Sequence, residues 1–169
     1  MSKKADLPST PHFYSADGYT QEESAGYLMK NVLASIVHQV DRRLIDHDLT
    51  HAQWAPLFKL ALGECGTVAE LARTLQSDPG AMTRSLDRLE AKGLVARVRS
   101  STDRRVVHLE LTDAGREVAA VVPGVLSEVL NLHLAGFTEP EWRGLLGMLS
   151  RMRANGEALR TAGNATNPD

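Results

Sequence analysis

The sequence predicts a mainly α-helical fold with a small two-stranded wing: a winged helix-turn-helix set among long helices that form an intertwined dimer. Three observations lead there. The first is "LVARVRSSTDRRVVHLELT", residues 94–112. Leu94, Ala96 and Val98 alternate with Val95, Arg97 and Arg99, and Val107, Leu109 and Leu111 alternate with Val106, His108 and Glu110. A period of two on both sides of a short polar break is the pattern of a hairpin. The break itself, Ser100, Ser101, Thr102 and Asp103, holds short side chains that hydrogen-bond local backbone in turns. The second observation is the pair of short amphipathic segments just before the hairpin, joined by "QSDP". The third is a set of longer, strongly apolar segments on either side.

Helix starts mark the elements in order. Thr50 with Gln53, Thr67 with Glu70 and Thr138 with Glu141 have the spacing of a capping box, in which the threonine hydroxyl and the N3 side chain satisfy backbone donors that have no partner inside the helix. Asp78 before Pro79 marks a fourth start, because proline's missing donor costs nothing at the first helical position. Thr112 caps a fifth, and Gly93 in "AKGLV" supplies a stop before the first strand. The predicted order is helices over 22–47, 52–62, 68–75 and 79–92, two strands, then helices over 113–134 and 139–159. The chain thus divides into an N-terminal arm (1–21), a dimerisation helix (22–49), a winged helix-turn-helix (50–112), two further dimerisation helices (113–160) and a flexible tail (161–169). Arm and tail carry no periodicity that would bury a face.

A length of 169 residues fits one such domain with extensions used for assembly. No apolar run reaches the roughly eighteen residues that a membrane span needs, and the first residues hold charge without the apolar core of a signal peptide. A soluble, cytoplasmic protein is expected, and the single cysteine, Cys65, agrees with a reducing compartment. The net charge of -2 speaks against nucleic acid only as an average. Between Arg73 and Arg105 there are eight cations and four anions, so this segment is +4 and the remainder -6. Contacts with phosphate depend on such a local surface and not on net charge. The competing reading is a solvated face with ordinary ion pairs.

In "TVAELARTLQSDPGAMTRSLDRLEAKG", Val68, Leu71, Ala72 and Leu75 make one core face and Met82, Leu86 and Leu89 the next. The short connection forces the two helices to meet steeply, as in a helix-turn-helix. Gly80, Ala81, Thr83, Arg84, Asp87 and Arg88 are left off the core, where the first turns of a second helix enter the major groove. Small residues there let the backbone approach the bases. Arg84 is the candidate base reader, since bidentate contact to guanine is the commonest specific pairing. Thr83 suits a thymine methyl or a phosphate, and Arg88, one turn on, a phosphate. Ser77 at the turn and Arg97 and Arg99 on the wing strand complete the expected double-stranded DNA surface. The alternative is that Arg84 and Arg88 pair with Asp87 or other carboxylates.

These residues carry a resemblance. "LTHAQWAPL" after a long first helix, then "DRLEAKGLVAR" and "SSTDRRVVHLELTDAGR", are similar to the multiple antibiotic resistance regulator (MarR) family of bacterial transcription factors. The likeness covers roughly residues 25–155, and its most specific part is the wing, D-x-R followed by L-x-L-T-x-x-G-R. It implies that Asp103 orients Arg105 by an ion pair, that Arg105 enters the minor groove and that Arg104 lies near phosphate. A narrow minor groove, whose negative potential is focused, favours an inserted guanidinium. Gly80-Ala81 departs from the pattern, where the family more often has a hydroxyl pair.

The first long helix, "SAGYLMKNVLASIVHQV", holds one charge, Lys30, and is expected to be buried nearly all round. One small domain cannot do this alone, and the apolar faces of the last two helices also need a partner. A homodimer with interlocked ends answers both, and presents two reading heads to a palindromic site. The same helix carries a polar stripe, Ser24, Asn31, Ser35, His38 and Arg42. Buried polar groups need partners; these are either each other and the second subunit, or a small-molecule effector lying against Trp54 and Phe58. In the latter reading an aromatic carboxylate stacks on Trp54 and meets His38 or Arg42. The resemblance implies release from DNA by small phenolic acids. A peroxide-sensing Cys65, a metal held by His47 and His51, and a winged helix that binds protein are the weaker alternatives. No enzyme motif, cofactor fingerprint or metal-ligand pattern stands out.

Overall fold

In the computed structural model, residues 10–99 and 107–165 are described. They form six helices, α1 (Ala25–Arg43), α2 (His51–Ala61), α3 (Val68–Thr74), α4 (Pro79–Ala91), α5 (Asp113–His133) and α6 (Glu139–Ala165). Two strands, β1 (Val95–Arg99) and β2 (Val107–Leu111), lie between α4 and α5. The caps expected from the sequence close these helices. Thr50 and Gln53 form the full capping box on α2, and Thr138 and Glu141 exchange hydrogen bonds at the start of α6. Thr67 accepts from the Glu70 amide, while the Glu70 carboxylate reaches past it to the Gly66 amide at 2.8 Å. Asp78 accepts from the Ala81 amide at 2.8 Å, and Thr112 from the Gly115 amide at 3.0 Å.

The first predicted helix is interrupted. It ends at Arg43, and after Leu44 a single 3-10 turn over Ile45–His47 leads to Asp48 in the left-handed region. Lys92, at the end of α4, grips this turn by donating to the Asp48 carbonyl and sitting 2.9 Å from its carboxylate.

The core joins α2, α3, α4, the wing base and α5. Leu57, Leu71, Leu86, Leu89 and Val122 are fully buried in it, and Val40 of α1 with Leu44 just after that helix closes its far side. Burying such side chains contributes about 1.5–3 kcal/mol each, which is what holds the short α3 and α4 in place. Strands β1 and β2 are antiparallel, with Val95 opposite Leu111, Arg97 opposite Leu109 and Arg99 opposite Val107. Arg97 therefore shares a face with the buried Leu109. The strand alternation holds, but its inward set on β1 includes an arginine.

Helix α1 is not buried nearly all round within the chain, contrary to the expectation. It packs on α5 through one face, while Leu28, Val32 and Leu33 on the other are half or more exposed. Asn31, Ser35, His38 and Arg42 are exposed with them, and of these Ser35 alone meets another described helix, through His133 of α5. Of the polar stripe only Ser24 is buried, as the N-cap of α1. Helix α6 makes only isolated contacts with other elements of its chain, leaving Trp142, Leu146, Met148 and Leu149 exposed. No described helix is long and apolar enough to cross a membrane.

Candidate nucleic-acid interface

Helices α3 and α4 meet across a turn that places Gln76 in the left-handed region, with the Ser77 amide closing back onto the Ala72 carbonyl at 2.9 Å. Helix α4 buries Met82, Leu86 and Leu89, and Ser85 donates its hydroxyl to the Ala52 carbonyl of α2. This fixes the roll of α4. Gly80, Thr83, Arg84, Asp87 and Arg88 face outward, and Ala81 is half-buried. The Thr83 hydroxyl donates to the Pro79 carbonyl at 2.9 Å, so its methyl and an oxygen lone pair remain for a partner. Arg84 folds back over Gly80: a Cβ added there would lie 3.4 Å from an Arg84 Nη.

The Arg84 and Arg88 side chains form no ion pair or hydrogen bond with a described residue, so the ion-pair alternative does not apply to them among those residues. Asp87 is taken by a different arginine. Arg97 of β1 reaches Asp87 with Nη2 at 2.7 Å and Glu90 with Nη1. Of the expected DNA contacts Arg97 is thus turned into the protein. Its aliphatic stem lies beside Leu109 while its head stays at the surface with the two carboxylates. Arg99, exposed at the end of β1, has no such partner among the described residues. Ser77 lies half-buried at the turn. Asp103, Arg104 and Arg105 of the wing tip lie outside the described residues.

The predicted effector pocket takes a different form. Trp54 is buried, and its indole nitrogen donates to Asp41 at 2.9 Å with the His51 ring against its edge. Its ring is packed and its donor used, so it offers no open stacking platform. Ser35 faces His133 of α5 at 2.9 Å. The other ring nitrogen of His133 lies 2.7 Å from the Val129 carbonyl; a carbonyl only accepts, so that nitrogen carries a proton. Phe58 lines an open cleft of about 710 Å3 at the C-terminal end of α2, against α5 and the wing base. Leu60, Leu62, Leu111, Ala120 and Pro123 also border it, with Arg116 at its edge. Cys65, buried and 3.3 Å from the Thr74 hydroxyl, belongs to the core. Among the described residues no three candidate metal ligands come together.

Sequence reasoning did not single out Glu90, Lys92 or Arg116. Glu90 lies three residues after Asp87 and so shares its helix face, a signal that a cation would sit between them; only the strand register says which one.

Two short helices joined by a tight turn, an exposed second helix with free arginines and a following two-stranded wing define a winged helix-turn-helix protein. Residues 49–107 match the family model described as "MarR family". The chain is 32% identical to the transcriptional regulator PA3341, whose crystal structure superposes with a TM-score of 0.72 over 80% of this chain and 99% of that one. A MarR-family transcriptional regulator from Silicibacter pomeroyi is 26% identical, with a TM-score of 0.68 over 80% and 92%. A cysteine-to-serine variant of MarR from E. coli, solved with operator DNA, is 29% identical, with a TM-score of 0.68 over 75% and 91%. This chain belongs to the MarR family of transcriptional regulators.

Proposed function

We propose that the protein is a homodimeric repressor that binds palindromic operator DNA and is released by a small aromatic carboxylate or phenolic compound. The observation that carries the DNA reading is the outward face of α4, where Arg84 and Arg88 stand free of the neighbouring carboxylates. Arg84 reads a base edge and Arg88 meets phosphate, Gly80 and Ala81 let the helix come close, and Arg99 with Arg104 and Arg105 serves the wing side. Solution of the related E. coli protein with operator DNA supports the same use here.

Dimerisation follows from what the chain leaves uncovered. Helix α6 has almost nothing among the described residues to pack on, and both it and α1 expose apolar side chains. Patches of that kind on a soluble protein mark interaction sites, and a two-fold partner sets two reading helices about one DNA turn apart. Residues 22–49 and 113–160 then serve as the dimer frame and 50–112 as the reading lobe, with 1–21 as arm; α6 runs on to Ala165, so the helix extends into the 161–169 segment expected as a tail.

The cleft beside Phe58 lies where α2 of the reading lobe packs on α5 of the frame, and it is the better seat for an effector than the Trp54 side. An aromatic ring fits its apolar walls, which Arg116, paired with Asp113, borders together with Glu110. Asn31, His38 and Arg42 are assigned to the dimer side instead, while Ser24 caps α1 and Ser35 meets His133. A ligand bound there shifts DNA affinity only by its preference for the arrangement that does not fit DNA. Gel retardation with the duplex upstream of its own gene tests the core of the reading. Retention stronger than that of random duplex is expected, and equal retention overturns it.

A further inference from the structure

Arg97 sits where the sequence suggests a DNA contact, yet both ends of its guanidinium are occupied. Nη2 donates to Asp87 at 2.7 Å and Nη1 to Glu90, two carboxylates one turn apart on the outer face of α4. The arginine side chain is 28% exposed, and its stem stands opposite Leu109 on the inward face of the hairpin. Hydrogen bonding to Asp87, the largest effect, raises its pKa above the ordinary arginine value against partial burial. Swinging this head to a phosphate leaves two unpaired carboxylates on the surface that faces a polyanion. Keeping it in place neutralises one of them and leaves Arg84 and Arg88 as the cations of that face.

We propose that Arg97 is a positioning residue for DNA recognition: it clamps the first wing strand to the reading helix through Asp87 and Glu90. This rests on the DNA-binding reading above. Strand β1 continues past Arg97 towards the tip, rising roughly 3.3 Å per residue, so a small rotation at the clamp becomes a larger displacement where the wing meets DNA. The clamp ties the angle of the wing to the roll of α4, and major- and minor-groove contacts are made as one unit.

The test compares Arg97→Met, which keeps the stem, with the pair Asp87→Asn and Glu90→Gln, which keeps the arginine. Each full-length variant is titrated with the upstream duplex over a range of salt. Each is also footprinted at saturation with hydroxyl radical in the minor groove and dimethyl sulfate at guanine N7. Both variants are expected to lose minor-groove protection while guanine protection persists. Arg97→Met is expected to weaken binding about tenfold with the salt slope unchanged. Minor-groove protection kept in the carboxylate variant but lost in Arg97→Met, with the slope reduced by about one as for a lost phosphate contact, overturns the proposal. If the wild type retains no duplex, the DNA reading itself fails. The clamp is then judged by a double-mutant cycle of Arg97→Met and Asp87→Asn in thermal unfolding, where additive effects overturn it.

Discussion

Gly115, in the first turn of α5, lies so close to the carbonyl of Leu94 that a Cβ on it would overlap the oxygen and stand 2.9 Å from the carbonyl carbon. The same junction is sewn by Thr112, whose amide donates to Leu94 at 3.1 Å and whose hydroxyl donates to Gly93 at 2.6 Å. The end of the reading helix, the base of the wing and the start of the frame helix meet at this point. Gly115→Ala must push α5 away from β1. It is expected to cost about 3 kcal/mol, the upper part of the range for overpacking, measured by urea unfolding at fixed protein concentration. A cost below about 0.5 kcal/mol shows that α5 yields freely and the junction is not tight.

Arg84 and Arg88 are expected to fail differently. Arg84→Ala costs about 1–3 kcal/mol on the operator and relaxes discrimination at one base pair, as for a lost bidentate contact. Arg88→Ala weakens all duplexes alike and lowers the salt slope by about one. Anisotropy titrations against the operator and single-base variants distinguish the two, and identical behaviour contradicts the assignment.

The exposed apolar side of α6 predicts that assembly depends on it. Leu146→Glu with Leu149→Glu places two charges on that surface and is expected to shift the protein from dimer to monomer in sedimentation velocity, with loss of operator affinity. A dimer that survives both substitutions places the interface elsewhere.

Trp54→Phe removes the hydrogen bond to Asp41 and is expected to lower stability by about 1–3 kcal/mol, the cost of leaving a partly buried acceptor without its donor. It should leave the response to aromatic acids intact. Ala120→Trp, which fills the cleft beside Phe58, should abolish that response. Thermal shifts with benzoate and hydroxybenzoates read both, and loss of response in Trp54→Phe alone returns the effector to the α1 side.

Hydrogen bonds from Gly66, then Thr67, hold the Glu70 carboxyl below its ordinary value of 4.5. A depressed folded-state pKa stabilises the fold above the unfolded value, and that contribution is lost as pH falls through the lower folded value. The difference in melting temperature between the wild type and Glu70→Gln is therefore expected to be full above about pH 5 and to shrink as the pH drops below 4.5. A gap that stays constant into that range shows that the carboxylate does not stabilise the α3 start.

The elements of this protein were legible from residues alone because their causes are local. A threonine and a glutamine or glutamate three apart, an aspartate before a proline, and periods of two or near four report on hydrogen bonds and faces within one turn or strand. Thr50, Thr67, Asp78, Thr112 and Thr138 accordingly mark helix starts in both sequence and structure. The interruption after Arg43 was not legible, since Lys92, which holds the Asp48 turn, is far away in the chain.

Which arginines are free is a tertiary matter. Arg84, Arg88, Arg97 and Arg99 look alike in sequence, all within a basic segment beside Asp87 and Glu90. The register of β1 on β2, set by burial of Val95 and Leu109, turns Arg97 onto α4 and leaves Arg84 and Arg88 outward. Trp54 likewise reads as a surface for a ligand until the packing of α1 on α2 brings Asp41 to its indole nitrogen. Charge and hydrogen-bond capacity are properties of a residue, but a partner is a property of the space around it. That space is filled by side chains brought from distant positions, whose arrival no local pattern records.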